Sequence, residues 1–187
     1  MEASYVQDQT FEKVNSLPRG EFEHCVFKGC DFSNQDLSGY RFVDCTFQEC
    51  NLSLAKLQKT ALQEVRFIQC KMLGLQFSNC DSFGLAFTFD HCSLDHASFF
   101  KTKIKNTVFK NSTLHSCDFT ETDLTSAQFD NCDLEGAAFD RTVLEKADFR
   151  TSYNYAIDPE INRIKKAKFS ISGLAGLLNK YNIEIEY

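Results

Sequence analysis

From Cys92 to Phe149 every fifth residue is large and apolar: Leu94, Phe99, Ile104, Phe109, Leu114, Phe119, Leu124, Phe129, Leu134, Phe139, Leu144 and Phe149. The residue two before each of them is small: Cys92, Ala97, Thr102, Thr107, Ser112, Cys117, Thr122, Ala127, Cys132, Ala137, Thr142 and Ala147. A period of five matches neither the roughly 3.6 of a helix nor the strict alternation of an ordinary strand. It fits a short extended piece, with positions i−2 and i facing inward, followed by a turn at i+1 and i+2. Repetition of this kind dictates the architecture before any local propensity does.

A longer period lies over the short one. Residues 20 apart match better than residues 5 apart, as in Leu94, Leu114 and Leu134, or Phe99, Phe119 and Phe139, or Phe109, Phe129 and Phe149. Four pentapeptides then complete one coil, and like residues stack in columns. The units CDFTE, TDLTS, AQFDN, CDLEG, AAFDR, TVLEK and ADFRT resemble the A(D/N)LXX pattern of the pentapeptide-repeat family. That resemblance implies an all-β fold, a right-handed quadrilateral β-helix whose shaft is filled by the i−2 and i residues.

An earlier block runs in the same rhythm from Phe22 to Phe77. Its i−2 positions are looser, since Gln35, Tyr40, Val65 and Leu75 are not small, and local swelling of those coils is expected. Between Phe77 and Leu94 the spacing is 17, two more than three repeats. A two-residue bulge near 82–91 is expected there, with Gly84 free to take positive φ and with either Phe87 or Phe89 facing inward. The expected organisation is an N-terminal cap over 1–20, the β-helix over 21–151, and a C-terminal cap and dimerisation segment over 152–187. After Phe149 the pentapeptide pattern stops by eye. Ser172 reads as the N-cap of a short helix, with Leu174, Leu177 and Leu178 on one face. Ile183 and Ile185 alternate with Glu184 and Glu186 as a short strand would.

Nine cysteines all fall on i−2, so they read as small buried hydrophobes in the reduced state. The spacing of Cys25 and Cys30, or Cys45 and Cys50, is not that of a zinc site. His24, His91, His96 and His115 occupy neither inward position and are expected to point outward. No HExxH, GxSxG or Walker-type loop is present, so neither a catalytic site, a metal site nor a cofactor is expected. Asp31, Asp36, Asn51, Asp118, Asp123, Asp133 and Asp148 at i−1 suit turn chemistry. No apolar run approaches the roughly 20 residues that span a bilayer, and the first residues lack the layout of a secretory signal. The expectation is a cytoplasmic protein with no membrane contact.

Charge is banded along the chain. Residues 111–149 carry nine acids against two bases, whereas residues 55–110 carry eight bases against four acids. Asp130, Glu135, Asp140 and Glu145 fall at i+1 in four consecutive pentapeptides, one on each face of a coil. The length, the two repeat blocks and the ending LAGLLNKYNIEI are similar to the Qnr-like quinolone-resistance proteins. That resemblance implies a homodimer joined end to end through the C-terminal segment, here with Leu174, Leu177, Leu178, Ile183 and Ile185 at its centre. It also implies a non-catalytic DNA mimic that binds DNA gyrase or topoisomerase IV and protects against quinolones. The partner-binding candidates are then Asp118, Asp123, Asp130, Glu135, Asp140 and Glu145, with Asp133 and Asp148 beside them. The alternative is a scaffold with an unrelated protein partner. Direct nucleic-acid binding is not expected of a chain with pI about 5.2.

Overall fold

Nine phenylalanines form one stack along the shaft: Phe11, Phe27, Phe47, Phe67, Phe89, Phe109, Phe129, Phe149 and Phe169. Neighbouring ring centroids lie 4.5 to 5.5 Å apart with planes within 19°. Phe77, Phe99, Phe119 and Phe139 make a second stack at 4.6 to 5.1 Å. The expected column of Phe99, Phe119 and Phe139 is therefore present. Each buried ring contributes about 1.5–3 kcal/mol from burial alone, so the repeated shape is the main source of cohesion. The computed structural model describes residues 4–186, and the chain is a right-handed quadrilateral β-helix built from parallel strands.

One face is a seven-stranded parallel sheet. It comprises β2 (Thr10–Glu12), β4 (Val26–Lys28), β6 (Thr46–Gln48), β8 (Val65–Ile68), β9 (Phe87–Asp90), β10 (Val108–Lys110) and β11 (Gln128–Asp130). The face before it in each coil carries β1 (Ser4–Gln7), β3 (Gly20–Glu23), β5 (Arg41–Val43) and β7 (Ala61–Gln63). The remaining faces are held by single parallel bridges such as Ser98↔Asp118 and Asp123↔Val143.

The corners explain the period of five. In the turn after Leu94, His96 has φ +59°, and the Ala97 N–H donates to the Leu94 carbonyl at 2.9 Å, as in a type II turn. Left-handed backbone costs an L-residue about 1–2 kcal/mol. The His96 N–H offsets this by donating to the His115 carbonyl of the next coil at 2.8 Å. The turn chemistry expected at i−1 is realised at all seven positions. Asp31, Asp36, Asn51, Asp118, Asp123, Asp133 and Asp148 each accept the backbone N–H two residues on.

Position i−2 holds Cys, Ser and Thr because a thiol or hydroxyl there can donate back across one coil. Thr122 Oγ1 reaches the Phe99 carbonyl at 2.7 Å, and Cys45 Sγ reaches that of Phe22 at 3.3 Å. All nine cysteines are free, eight of them buried, and Cys80 is half-buried. Tyr40, Val65 and Leu75 do face inward, and the Tyr40 hydroxyl donates to the Leu17 carbonyl at 2.9 Å. Gln35 corrects the sequence reading, because its side chain is exposed.

The register slip is absorbed on one face. Val65 pairs with Phe87 and Phe67 with Phe89, so both Phe87 and Phe89 are buried, not one of the two. The extra residues form an irregular turn over 81–86, with Gly84 at φ +67° and Phe83 thrown out to 78% exposure. The four-stranded sheet ends there, while the seven-stranded sheet runs past it.

Three terminal expectations change. Residues 4–12 are coil, not a separate cover: Val6 pairs with Phe22 and Phe11 with Phe27. At the other end the repeat does not stop at Phe149. Asn162, Ile164, Ala167 and Phe169 repeat Thr142, Leu144, Ala147 and Phe149 at a distance of 20, with bridges Val143↔Arg163 and Asp148↔Lys168. Only the two intervening faces are irregular: Asn154 is exposed where an inward residue is expected, and Tyr155 and Ile157 are buried there. Beyond it, the helix is two 3-10 turns, Leu174–Leu177 and Asn179–Tyr181. Gly173 precedes the first without a side-chain cap, so Ser172 is not an N-cap, and Ile183 and Ile185 form no strand. Two adjacent turns held by short i→i+3 bonds are what a marginal sequence of this length can keep.

Candidate partner-binding surface

Because the shaft interior is filled by side chains, chemistry is confined to i−1, i+1 and i+2 on the outside. The acidic candidates lie there, but they form no acidic column. Asp118 is followed in its column by Ala138, Asp123 by Val143, Asp133 by Tyr153 and Asp148 by Lys168. Asp130 pairs in register with Lys110, which pairs in turn with Asp90. Stacking like charges about 4.8 Å apart is unfavourable, and alternation down the sheet removes that cost. The carboxylates of the acidic coil are therefore not stacked on one another along these columns.

Half of the six candidates also have a cation beside them. Lys105 Nζ lies 3.3 Å from Asp123, Arg141 lies 3.1 Å from Asp140, and Arg163 pairs with Glu145. Asp148 is held by Arg150 at 2.7 Å and by Lys168 at 3.6 Å. Arg150, Arg163 and Lys168 come from the coil after the acidic one, which carries five bases against two acids over residues 150–170. Among the described residues, Asp118, Asp130 and Glu135 have no Lys or Arg within ion-pair distance. The surface is therefore an acidic belt between two basic ones. Arg150 holds the Asp148 carboxyl below the usual range, against the opposing effect of burial.

The dimer candidates divide. Leu177 packs on the chain's own core. Leu174 (46% exposed), Ile183 (56%) and Ile185 (42%) stay open, and Leu178 is half-buried. The segment is moored to the last coil, since the Ile157 N–H donates to the Gly176 carbonyl at 2.9 Å. A methyl at Gly173 or Gly176 would collide with Tyr155.

Two features escaped the sequence reading. A cleft lies between the last coils and this segment, lined by Glu135, Asn154, Tyr155, Gly173 and Asn179 among others, and the buried Tyr155 hydroxyl has no hydrogen-bond partner among the described residues. Beside it, His115 Nε2 lies 3.0 Å from Asp133 Oδ2, and Glu135 is close to both. The 20-residue spacing of Asp95, His115 and Glu135 was the signal for this cluster. His24, His91 and His96 are exposed as expected, whereas His115 is half-buried. Asp133 pushes the His115 pKa up, burial opposes this, and Asp95 and Glu135 add to the rise.

Comparison with known proteins agrees with this architecture. A trypsin-treated variant of QnrB1, a plasmid-mediated fluoroquinolone resistance protein, is similar over 100% of both chains, with 14% identity and a TM-score of 0.64. Full-length QnrB1 matches over 96% of this chain and 100% of its own, with 17% identity and a TM-score of 0.50. HetL, a pentapeptide repeat protein of Nostoc sp. strain PCC 7120 involved in heterocyst differentiation regulation, covers 90% of this chain and 88% of its own at 16% identity and a TM-score of 0.45. No curated protein sequence matches significantly. The family model for the pentapeptide repeat region matches residues 20–88 and 76–149, and with the coil geometry above, the chain belongs to the pentapeptide repeat family.

Proposed function

We propose that this chain is a non-catalytic protein-binding rod, and that its partner is a type II topoisomerase, DNA gyrase or topoisomerase IV, whose DNA-binding surface the acidic belt occupies. The observation that carries this reading is the group Asp118, Asp130 and Glu135, three carboxylates without a Lys or Arg partner among the described residues, on a rigid belt of nine acids and two bases. A surface that receives duplex DNA is rich in Lys and Arg, and opposite charge speeds encounter and makes it salt-sensitive. QnrB1, a fluoroquinolone resistance protein, shares the fold, and protection against quinolones is the corresponding expectation here. In the same reading two copies join end to end. Leu174, Ile183 and Ile185 are exposed at the end of the shaft, and a two-fold contact between copies covers both patches at once.

The test is binding to purified gyrase at low and high salt, for the native chain and for the triple variant Asp118→Asn, Asp130→Asn, Glu135→Gln. Binding that weakens with salt and with the substitutions is expected. No binding by the native chain refutes the topoisomerase assignment. The second reading, a scaffold for another protein, is favoured by the alternation of Asp90, Lys110 and Asp130 in one column. Such alternation offers matched charges of both signs, unlike the single sign of a phosphate backbone. Undiminished binding by the triple variant would move the gyrase contact away from these three carboxylates, and absence of binding by the native chain would leave the scaffold reading.

A further inference from the structure

We infer that His115, Asp133 and Glu135 form a binding site for a divalent first-row transition ion such as Zn2+ on the outer face of the shaft. The inference does not depend on the protein-binding reading, although the two share Glu135. The backbone presents the three residues rigidly. His115 and Glu135 each follow an inward leucine, Leu114 and Leu134, on successive coils, and Asp133 is bridged to Thr113 in the adjoining column.

The ligand atoms are already gathered. His115 Nε2 is 3.0 Å from Asp133 Oδ2, and the nitrogen and both carboxylates have ligand atoms within 4.8 Å of one another. Two atoms bound to one Zn2+ at about 2.0–2.1 Å lie roughly 3–3.5 Å apart, so only the Glu135 side chain needs to swing.

The hydrogen bonding around Asp133 is one-sided. Its Oδ1 accepts from Asn154 Nδ2 at 2.8 Å and from the Glu135 backbone N–H at 3.2 Å. Oδ2 is left facing His115. The imidazole is oriented too, because Asp95 Oδ1 accepts the His115 backbone N–H at 3.2 Å and lies 3.6 Å from Nδ1. A carboxylate near the far nitrogen of a ligating histidine is a recurrent outer-shell arrangement. Nε2 is shut off from solvent and faces Asp133 Oδ2 at 3.0 Å, so a proton or a metal ion must stand between the two atoms. An unprotonated ring nitrogen and a carboxylate repel each other unless a cation lies between them. A proton serves only that pair, whereas a metal ion can also take the Glu135 carboxylate, which has a ligand atom within 4.8 Å of both.

One imidazole with two carboxylates selects the class of ion. Mg2+ and Ca2+ prefer oxygen ligands alone, and Cu(I) prefers sulfur. Glu135 also lines the cleft beside Tyr155, so the remaining coordination positions are open to water there.

The experiment is calorimetric titration of the tag-free, reduced chain with ZnCl2 in a non-chelating buffer. The variants His115→Asn, Asp133→Asn and Glu135→Gln are compared with Glu145→Gln, which sits on another face. Wild type and Glu145→Gln should take up one equivalent, and the other three should lose about tenfold or more in affinity. Thermal midpoints without metal establish that each variant is folded, and Glu135→Gln, at an exposed position, keeps the test open should either of the others unfold. Co2+ replaces Zn2+ in a parallel titration, because its absorption separates nitrogen and oxygen ligands from thiolates. No uptake by wild type, uptake equal in all four variants, or a thiolate-to-cobalt band would each overturn the assignment.

Discussion

Phe67 and Phe89 stack with centroids 5.4 Å apart and planes within 11°, although 22 residues separate them and not 20. The seven-stranded sheet tolerates two additional residues because they leave the shaft at a corner on a different face. The stack of rings, and not the count of residues, is what the chain conserves from coil to coil.

Phe89→Ala should therefore be among the most costly single changes. It opens a cavity between Phe67 and Phe109 that rigid neighbouring coils cannot close, and a loss of about 3–5 kcal/mol is expected. Phe83→Ala, only six residues earlier, removes a ring that is 78% exposed and should be near neutral. Urea denaturation of both variants checks the pair. Similar midpoints would mean that inward and outward positions are assigned wrongly.

The shaft was legible because each coil repeats one physical solution, so that Phe99, Phe119 and Phe139 announce their stack by spacing alone. The last coil was not, because Asn154 stands where an apolar residue should and Tyr155 takes over the filling. The eye loses the beat of five, even though Phe149 and Phe169 keep the beat of 20. Charge was legible as banding but not as pairing. Counting acids over 111–149 left out Arg163 and Lys105, which reach Glu145 and Asp123 from neighbouring coils. The cluster around His115 needed the columns to be read for chemistry as well as for packing.

Gly176→Ala should loosen the C-terminal segment. The added methyl meets the Tyr155 backbone, and relieving such overpacking costs about 1–3 kcal/mol. The shaft should keep its thermal midpoint while residues beyond 172 become open to proteolysis. Sedimentation then bears on the proposed dimer. Native chain should sediment as a dimer, and Leu174→Glu with Ile183→Glu as a monomer. A monomeric native chain refutes the two-fold contact.

Cys45, Cys80 and Cys132 should be silent in the native state. Burial pushes the Cys45, Cys80 and Cys132 thiols up to about 12, so little thiolate exists near neutral pH, and the thiolate is the reactive form. Alkylation at pH 8 should leave these three unmodified until denaturant is added, which mass spectrometry reads directly. Rapid labelling of Cys45 in the native chain would show that the coils open far more readily than their packing implies.

Asp148 should contribute to acid lability. Arg150 donates to both of its carboxylate oxygens, from Nε at 3.0 and 3.2 Å and from Nη2 at 2.7 Å. These contacts hold its pKa down in the folded chain, while burial works against them. A carboxyl whose folded pKa lies below its unfolded value of about 3.9 binds protons more readily when unfolded. Its stabilisation is thus complete above about pH 4 and is lost as pH falls through the folded pKa. Asp148→Asn keeps an oxygen for the Arg150 backbone N–H, as Asn51 does for Ser53 at 3.1 Å, but it cannot titrate. The variant should be less stable than wild type at pH 6, and the gap should narrow as pH falls below 4. Urea midpoints across that range provide the measurement, and a gap that stays constant with pH would remove Asp148 from the groups that make the fold acid-sensitive.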